Sequence, residues 1–453
     1  DDRILFLSCY NRFADAFKEL GGDKLNMTTG DALLIYLDLF DYSQLVDETP
    51  SAIKENLRKM WAEFELKNAQ EKPSVKFDPA PEQKKNILTK FLTASEEEDV
   101  THIAFINKKT PETSSWTYAH ELGRLYLKDA FHGRVRTKAY DNISDTEDAV
   151  AAIEQAIADG NEMIFTTSPE FLSASLRVAV NHPEIKILNC SLNASHKYIR
   201  TYYGRMYEAK FLIGVLAGVM TDTNKIGYIA DYPIFGMTAN INAFALGVKM
   251  VNPKAKIYLE WSTLKENEHI DLTAKLYSLG ATYISHQDMI IPRKISRQFG
   301  LFRVNGETPV NLAFPAWNWG KYYERIIRNV QNGIWNTEEK SDANKALHYW
   351  WGMSADVIYV IWSSAVPDET RHLLDTLRKA IRNYDFNPFD GILHAQQGLV
   401  SKDANHTLTP REIISIDWLL DNIIGRIPTA NELREDAQNV VRQEGIRKEE
   451  PTT

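Results

Sequence analysis

Two hydrophobic rhythms divide the chain. Ile53, Leu57, Trp61 and Phe64 recur at i, i+4, i+8 and i+11, which places them on one face of a helix. Residues 1–66 read as a small helical domain, with Thr28-Thr29-Gly30-Asp31 as a turn into a helix over Ala32 to Leu37. Residues 67–99 lose the pattern. They are polar, carry Pro73, Pro79, Pro81 and the acidic run Glu96-Glu97-Glu98, and read as a linker. From Val100 short β-rich runs take over: Ile103–Ile106, Met163–Thr167, Ile185–Asn189, Ile226–Ala230, Ile257–Trp261, Thr282–His286, Leu301–Val304 and Val357–Trp362. Amphipathic helices lie between them. Ser144 and Glu147 make a capping box, Val150, Ile153 and Ile157 the apolar stripe, and Gly160 the stop. Leu272, Leu276 and Leu279 before Gly280 repeat the device. This alternation predicts parallel sheets covered by helices on both faces. Its extent, residues 100–395, exceeds one simple sheet and predicts two similar lobes.

The end of the chain reads differently. Asn387-Pro388-Phe389-Asp390-Gly391 is a turn, and Thr409-Pro410-Arg411-Glu412 starts a helix with a cap and Pro at the first position. Ile413, Ile416 and Leu420 give that helix its apolar face. Residues 396–453 are therefore expected to be a helical extension.

Composition narrows the function. With 453 residues, 44% hydrophobic and 25% charged, the chain has the make-up of a globular protein of two or three domains. A net charge of −9 argues against a broad nucleic-acid-binding face. Two cysteines, Cys9 and Cys190, give no disulfide framework and no thiolate metal site. No stretch approaches the ~18 consecutive apolar residues of a membrane span. Ile4 to Cys9 is faintly similar to the end of a lipoprotein signal, but Asp1-Asp2 precede it and the apolar run is short, so it reads as the first turns of a helix. A cytoplasmic location is expected if no export signal lies upstream, with a membrane-anchored extracytoplasmic lipoprotein as the alternative.

Most catalytic signatures are absent: there is no GxGxxG, no P-loop and no GxSxG elbow. His120-Glu121 begins like a zinc-binding HExxH, but Arg124 stands at the second histidine position. Neither a catalytic residue, nor a metal, nor a cofactor is expected. The candidates are instead aromatic and polar groups at strand ends, where ligands bind in open α/β sheets. Trp116 and Tyr118 open the helix after the first strand. Thr167 and Ser168 end the strand Met163–Thr167, with Phe171 just beyond. Gln287 and Asp288 follow Thr282–His286, and Trp317 and Trp319 flank Asn318 after another apolar run. Aromatic faces suit a planar ligand held by stacking, and hydroxyls and amides suit its polar edges.

Several segments in order carry a family resemblance. They are Trp116-Thr117-Tyr118-Ala119-His120-Glu121-Leu122-Gly123-Arg124; Asp159-Gly160-Asn161 with Ile164-Phe165-Thr166-Thr167-Ser168; Tyr207-Glu208 with Gly214 and Ala217-Gly218; Lys225-Ile226-Gly227-Tyr228-Ile229-Ala230; Ile241-Asn242-Ala243-Phe244; Val251-Asn252-Pro253; and Asn318-Trp319-Gly320. Together they resemble the basic-membrane-protein family, the purine-nucleoside-receptor-like solute-binding proteins. The resemblance implies a type I periplasmic-binding-protein fold: two Rossmann-like lobes, a hinge of crossing strands, and a purine base or nucleoside in the cleft. It implies ligand contacts at Trp116, Tyr118, Phe171, Asp288 and Trp319, with Gln287 and Trp317 beside them. Thr113-Ser114-Ser115-Trp116 differs from the Asp-x-x-Phe-Asn of the nucleoside-binding branch, which favours a free base such as adenine. The flanking segments resemble extended cytoplasmic relatives whose binding module follows a DNA-partitioning-protein-like segment. The expected role is a purine sensor or regulator acting with an upstream regulatory domain. The alternative is the binding protein of an ABC importer, with a permease as partner, and a nucleoside-processing enzyme using Asp288 and His286 stands behind both.

Overall fold

The computed structural model describes residues 100–192, 198–288, 298–304, 306, 309–333, 335, 349–401 and 406–446; the helical domain and linker expected over residues 1–99 lie outside them. The first lobe starts with β1 (Thr101–Ile106), whose last four residues are buried. There follow α1 (Ser115–Ala130), β2 (Val135–Tyr140), α2 (Thr146–Ala158), β3 (Met163–Thr166), α3 (Leu172–Asn181), β4 (Lys186–Cys190) and β5 (Arg200–Gly204). With β11 (Tyr349–Trp351) these strands form a six-stranded sheet in the order β11-β5-β4-β3-β1-β2, parallel throughout. Helices on both faces bury its centre, which is why β3 reads as the unbroken apolar run Met163-Ile164-Phe165 before Thr166. Phe105, Phe165 and Tyr323 make its aromatic core, with centroids 4.7–5.1 Å apart.

The second lobe contains α4 (Met206–Met220), β6 (Lys225–Ala230), α5 (Met237–Val251), β7 (Lys256–Trp261), α6 (Leu272–Ser278), β8 (Tyr283–Ser285), β9 (Leu301–Arg303), β10 (Val310–Trp317), β12 (Ile358–Trp362) and α8 (Asp368–Arg382). Its sheet runs β12-β10-β9-β8-β6-β7-β15, where β15 is Ile423–Ile424. This sheet is mixed, not parallel as the alternation predicted: β8, β9, β10 and β12 pair antiparallel. Only residues 304–309 separate β9 from β10, a hairpin-length link, whereas a parallel pair needs a crossover of a dozen residues or more. The chain passes between the lobes after β5, again after β10 into α7 (Trp319–Gln331), and again after β11.

Local signals behaved much as the residues suggested. Every β-rich run named above forms a strand. Gly160 and Gly280 end α2 and α6 with φ of 85° and 93°, a conformation that strains any residue with a Cβ. The cap of α2 is a correction. Asp145, not Ser144, stands immediately before the helix, and its Oδ1 accepts the N–H groups of Glu147 and Asp148 at 2.9 Å each.

Beyond the short hairpin β13 (Leu393–Ala395) and β14 (Gly398–Ser401), the tail folds back onto the second lobe. α9 (Pro410–Ile414) starts on the expected cap, Thr409, reinforced by Glu412 in a capping box. β15 then extends the sheet beside β7, so the tail is more than helical. Asn242 of α5 locks it in place: its Nδ2 donates to the Trp418 carbonyl at 2.9 Å and its Oδ1 accepts Leu420 N–H at 3.0 Å. The last element, α10 (Glu435–Glu444), buries Ala437 and Val441. Among the described residues no helix is long and apolar enough to cross a membrane.

Candidate functional site

Between the lobes lies an open cavity of about 430 Å³. That lies within the range of about 300–1,000 Å³ usual for small-molecule sites. It sits where the carboxyl ends of β1, β3 and β4 face lobe two, the crevice at which α/β sheets bind ligands. Past Leu192 and Phe235 the space narrows to a pocket of about 30 Å³ against Met206, Tyr207 and Ile414, enough for a water or two.

Trp116 forms part of the wall. α1 begins where the Ser114 hydroxyl accepts Thr117 N–H at 3.3 Å, which sets Trp116 on the first turn facing the cavity. Its indole Nε1 donates to the Thr167 carbonyl at 2.7 Å, so the ring is pinned across the end of β3. Behind it, Trp317 and Trp319 present their faces edge-on, at 85° and 80°. Tyr203 lies nearly parallel to it, 23° off with centroids 6.2 Å apart, and also lines the cavity. A half-buried indole held this rigidly is a stacking platform.

The hydroxyls divide. Thr167 is buried and its Oγ1 is taken by Asn107 Oδ1 at 2.8 Å, so it holds the loop rather than facing a ligand. Ser168 does line the cavity; its carbonyl is fixed by Asn189 Nδ2 at 2.9 Å and its side chain makes no capping bond. Ser191, at the end of β4, was missed in the sequence. It is 1% exposed, lines the cavity, and its Oγ has no hydrogen-bond partner among the described residues. A buried hydroxyl left so is costly unless something else meets it. The rule that flagged Ser168, a polar residue just past a buried strand, could have found it.

Other expected contacts sit elsewhere. Phe171 is 1% exposed and packs in the apolar layer with Ile164, Ala174 and Val178, because the short turn Pro169–Phe171 points it inward. Trp319 is likewise 1% exposed and belongs to the core. It stacks on His120 at 4.2 Å and on Trp317 at 4.9 Å, and a Cβ on Gly123 would come within 2.6 Å of its own, so Gly123 is what lets α1 and α7 approach. Trp317 is half-buried behind Trp116, one layer from the cavity. Tyr118 faces outward at 39% exposed, and Gln287 is exposed. Asp288 is ion-paired with the buried Lys210.

That pair belongs to a polar knot in lobe two. Burial pushes the Asp288 carboxyl up, while Lys210 opposes the shift. Burial pushes the Lys210 ammonium down, but Asp288 and Tyr228 outweigh it and it ends above its ordinary value. His286 is held below its ordinary value by burial, against the pull of Asp231 and Asp288. Asp288 thus already serves a cation of the protein. His120, the histidine of the failed zinc motif, is fully buried under Trp319; burial lowers it to about 3, so it is a neutral core residue bonded to the Tyr323 hydroxyl.

Two α/β lobes, one with a parallel and one with a mixed sheet, repeated crossings and a ligand-sized interlobe cleft define a type I periplasmic-binding-protein fold. Residues 100–291 match the family described as Bmp, ABC transporter substrate-binding protein PnrA-like, so this part of the chain is a Bmp-family substrate-binding domain. Over 346 residues the chain is 24% identical to a purine-binding protein of Brucella abortus, covering 74% of this chain and 96% of that protein. It is 23% identical over 335 residues to metabotropic glutamate receptor-like protein J of Dictyostelium discoideum, covering 65% of this chain and 42% of the receptor. A solved structure described as a transcriptional activator of the comK gene from Bacillus halodurans superposes with a TM-score of 0.50 at 14% identity. It covers 63% of this chain and 99% of its own, and shares the fold. The family is one of solute-binding proteins, which implies a small-molecule ligand and a permease partner.

Proposed function

We propose that the interlobe cleft binds a purine base or nucleoside. Trp116 carries the reading: a rigid indole at the carboxyl edge of the first sheet, with Tyr203 beside it and the Ser168 and Ser191 hydroxyls within the same cavity. The similarity to a purine-binding protein across 74% of the chain supports it. Ligand first meets lobe one, lobe two then closes over it, and the closed state is favoured by contacts the open state lacks. Thermal denaturation with adenine, guanine, adenosine, guanosine and, as a control, glucose tests the reading. A purine at 100 times its Kd adds about 2.7 kcal/mol and raises the melting temperature. A protein that no purine shifts at millimolar concentration does not have this function.

The closed state has two uses. Extra chain on both sides of residues 100–395 favours a cytoplasmic sensor, in which closure is passed to the flanking segments. The family's description as ABC transporter substrate-binding protein favours delivery to a permease from outside the membrane. Protease treatment of intact cells separates them: a sensor survives, and a surface-anchored receptor is cut. Catalysis by Asp288 and His286 is not favoured, because Asp288 is committed to Lys210.

A further inference from the structure

Three segments join the lobes, and their crossing points touch one another. The first is Gly204-Arg205 between β5 and α4, the second Trp317-Asn318 between β10 and α7, and the third Trp351-Gly352 after β11. A Cβ on Gly204 would run into the Trp317 ring, so a glycine is what lets the first two lie together. Asn318 N–H donates to the Val357 carbonyl at 2.9 Å, tying the second crossing to the chain beyond the third. The Tyr322 hydroxyl spans the first and third, 2.7 Å from the Tyr203 carbonyl and 2.8 Å from the Tyr349 carbonyl. Arg205 adds to the joint: its backbone N–H donates to the Trp351 carbonyl at 2.8 Å and its Nε to the Trp350 carbonyl at 2.9 Å.

One buried carboxyl lies in this joint. Glu208 stands on the first turn of α4, and its Oε2 accepts Met353 N–H at 2.7 Å. A Cβ on Gly352 would collide with the carboxyl itself, so Glu208 rests on the backbone of the third crossing, which must turn when the lobes move. The cavity depends on that joint. Trp116 and Tyr203 enter it from lobe one, Tyr232 from lobe two, and Asp436, Val440 and Glu444 from α10, which Arg434 N–H fastens to the Thr263 carbonyl of lobe two at 2.9 Å. Tyr207 and Trp350, beside the joint, line the narrow pocket behind the cleft.

We propose that Glu208 is a positioning residue of the hinge: its neutral carboxyl, seated on Gly352 and Met353, holds the lobes in the ligand-binding arrangement, and ionisation releases them. An ionised carboxylate there faces Met353 N–H and, 3.9 Å away, Arg205 Nη1, whose Nε is already bonded to Trp350. That is thin compensation for a buried charge. Burial accordingly raises the carboxyl from 4.5 to about 7, against the pull of Met353 N–H and Arg205. The charged and titratable groups on the elements around it are occupied elsewhere. Arg382 of α8 pairs with Asp356, the Tyr384 hydroxyl bonds Ser354, Asp390 acts on Tyr207, and burial keeps the Tyr207 phenol neutral. Ionisation therefore favours an arrangement in which the third crossing lifts away and water reaches the carboxylate; protonation favours the arrangement described. The inference concerns the hinge and holds whatever ligand the cleft takes.

Spin labels at Val180→Cys on lobe one and Tyr277→Cys on lobe two read the interlobe distance without ligand, in the full chain with Cys9→Ser; Cys190 is buried. Between pH 6 and 8 the distance distribution should shift. Glu208→Gln is neutral at both pH values and can still accept Met353 N–H, so it should keep the pH 6 distribution throughout. Glu208→Leu, with no acceptor, should show the shifted distances already at pH 6. Calorimetry with adenosine gives a second readout: affinity should fall roughly fivefold or more from pH 6 to 8, and not in Glu208→Gln. Circular dichroism confirms that the variants fold. Distances that stay constant with pH, a shift that Glu208→Gln retains, or a Glu208→Leu protein with unshifted distances at pH 6 would each overturn the proposal. If adenosine and other purines do not bind, the purine reading falls, while the distances still decide this one.

Discussion

Trp116→Ala and Trp319→Ala separate the two roles an aromatic residue can have here. Trp319 is 1% exposed and wedged between α1 and α7, so its truncation opens a core cavity. The cost should be roughly 3–5 kcal/mol of stability. Trp116 is half-buried on the cavity wall, and its one hydrogen bond, to the Thr167 carbonyl at 2.7 Å, contributes about 1 kcal/mol net. Losing that bond and part of its edge contacts with Trp317 and Trp319 should cost about 1–3 kcal/mol in the apo protein. Affinity should move the other way round. A ring stacked on a base contributes about 1–3 kcal/mol, so Trp116→Ala should weaken the purine roughly ten- to hundredfold. Trp319→Ala, in whatever fraction stays folded, should weaken it less. Urea unfolding gives the stabilities and calorimetry the affinities. The reasoning is wrong if Trp116→Ala destabilises as much as Trp319→Ala while leaving affinity unchanged.

Three further outcomes follow from buried ionisable groups. His120 is lowered to about 3 from 6.5, so the unfolded chain takes up its proton first; stability is fully present above pH 6.5 and falls toward pH 3 by up to about 1.4 kcal/mol per unit. His120→Phe should flatten that part of the pH profile, and an unchanged slope would remove His120 as its source. Glu208 has the opposite sign: burial raises it from 4.5 to about 7, against the Met353 N–H it accepts at 2.7 Å. Its stabilising effect is full below pH 4.5 and lost as pH rises through 7, about 3 kcal/mol in all, and Glu208→Gln should erase the dependence in denaturant titrations at pH 4.5 and 8. Asp288→Asn strands the buried Lys210 ammonium, and the expected loss is roughly 3–5 kcal/mol. A loss below about 1 kcal/mol in urea unfolding would show that Lys210 finds water or another partner.

Much was settled by the sequence alone. Buried strands flanked by turn residues announce themselves, because a strand covered on both faces must be apolar at consecutive positions; β1, β3, β4, β6 and β7 were all legible for that reason. The order of the Trp116–Arg124 segment and its fellows carried the family and its fold. Two strands toward the margins of the first sheet were not legible: the edge strand β2 carries Arg136 and Lys138 on positions open to solvent, and β5, next to the edge strand β11, starts on Arg200. Tertiary structure alone decided which aromatics face the cavity. Trp116 and Trp319 look alike in sequence, each opening a helix after a strand, yet one lines the cavity and the other fills the core. What separates them is packing of α1 on α7 across Gly123, a contact between residues some two hundred positions apart. The same holds for α10. Its stripe of Asp436, Val440 and Glu444 is an ordinary half-polar helix face until β15 and Asn242 bring the tail back over lobe two, and no local pattern encodes where a returning chain will dock.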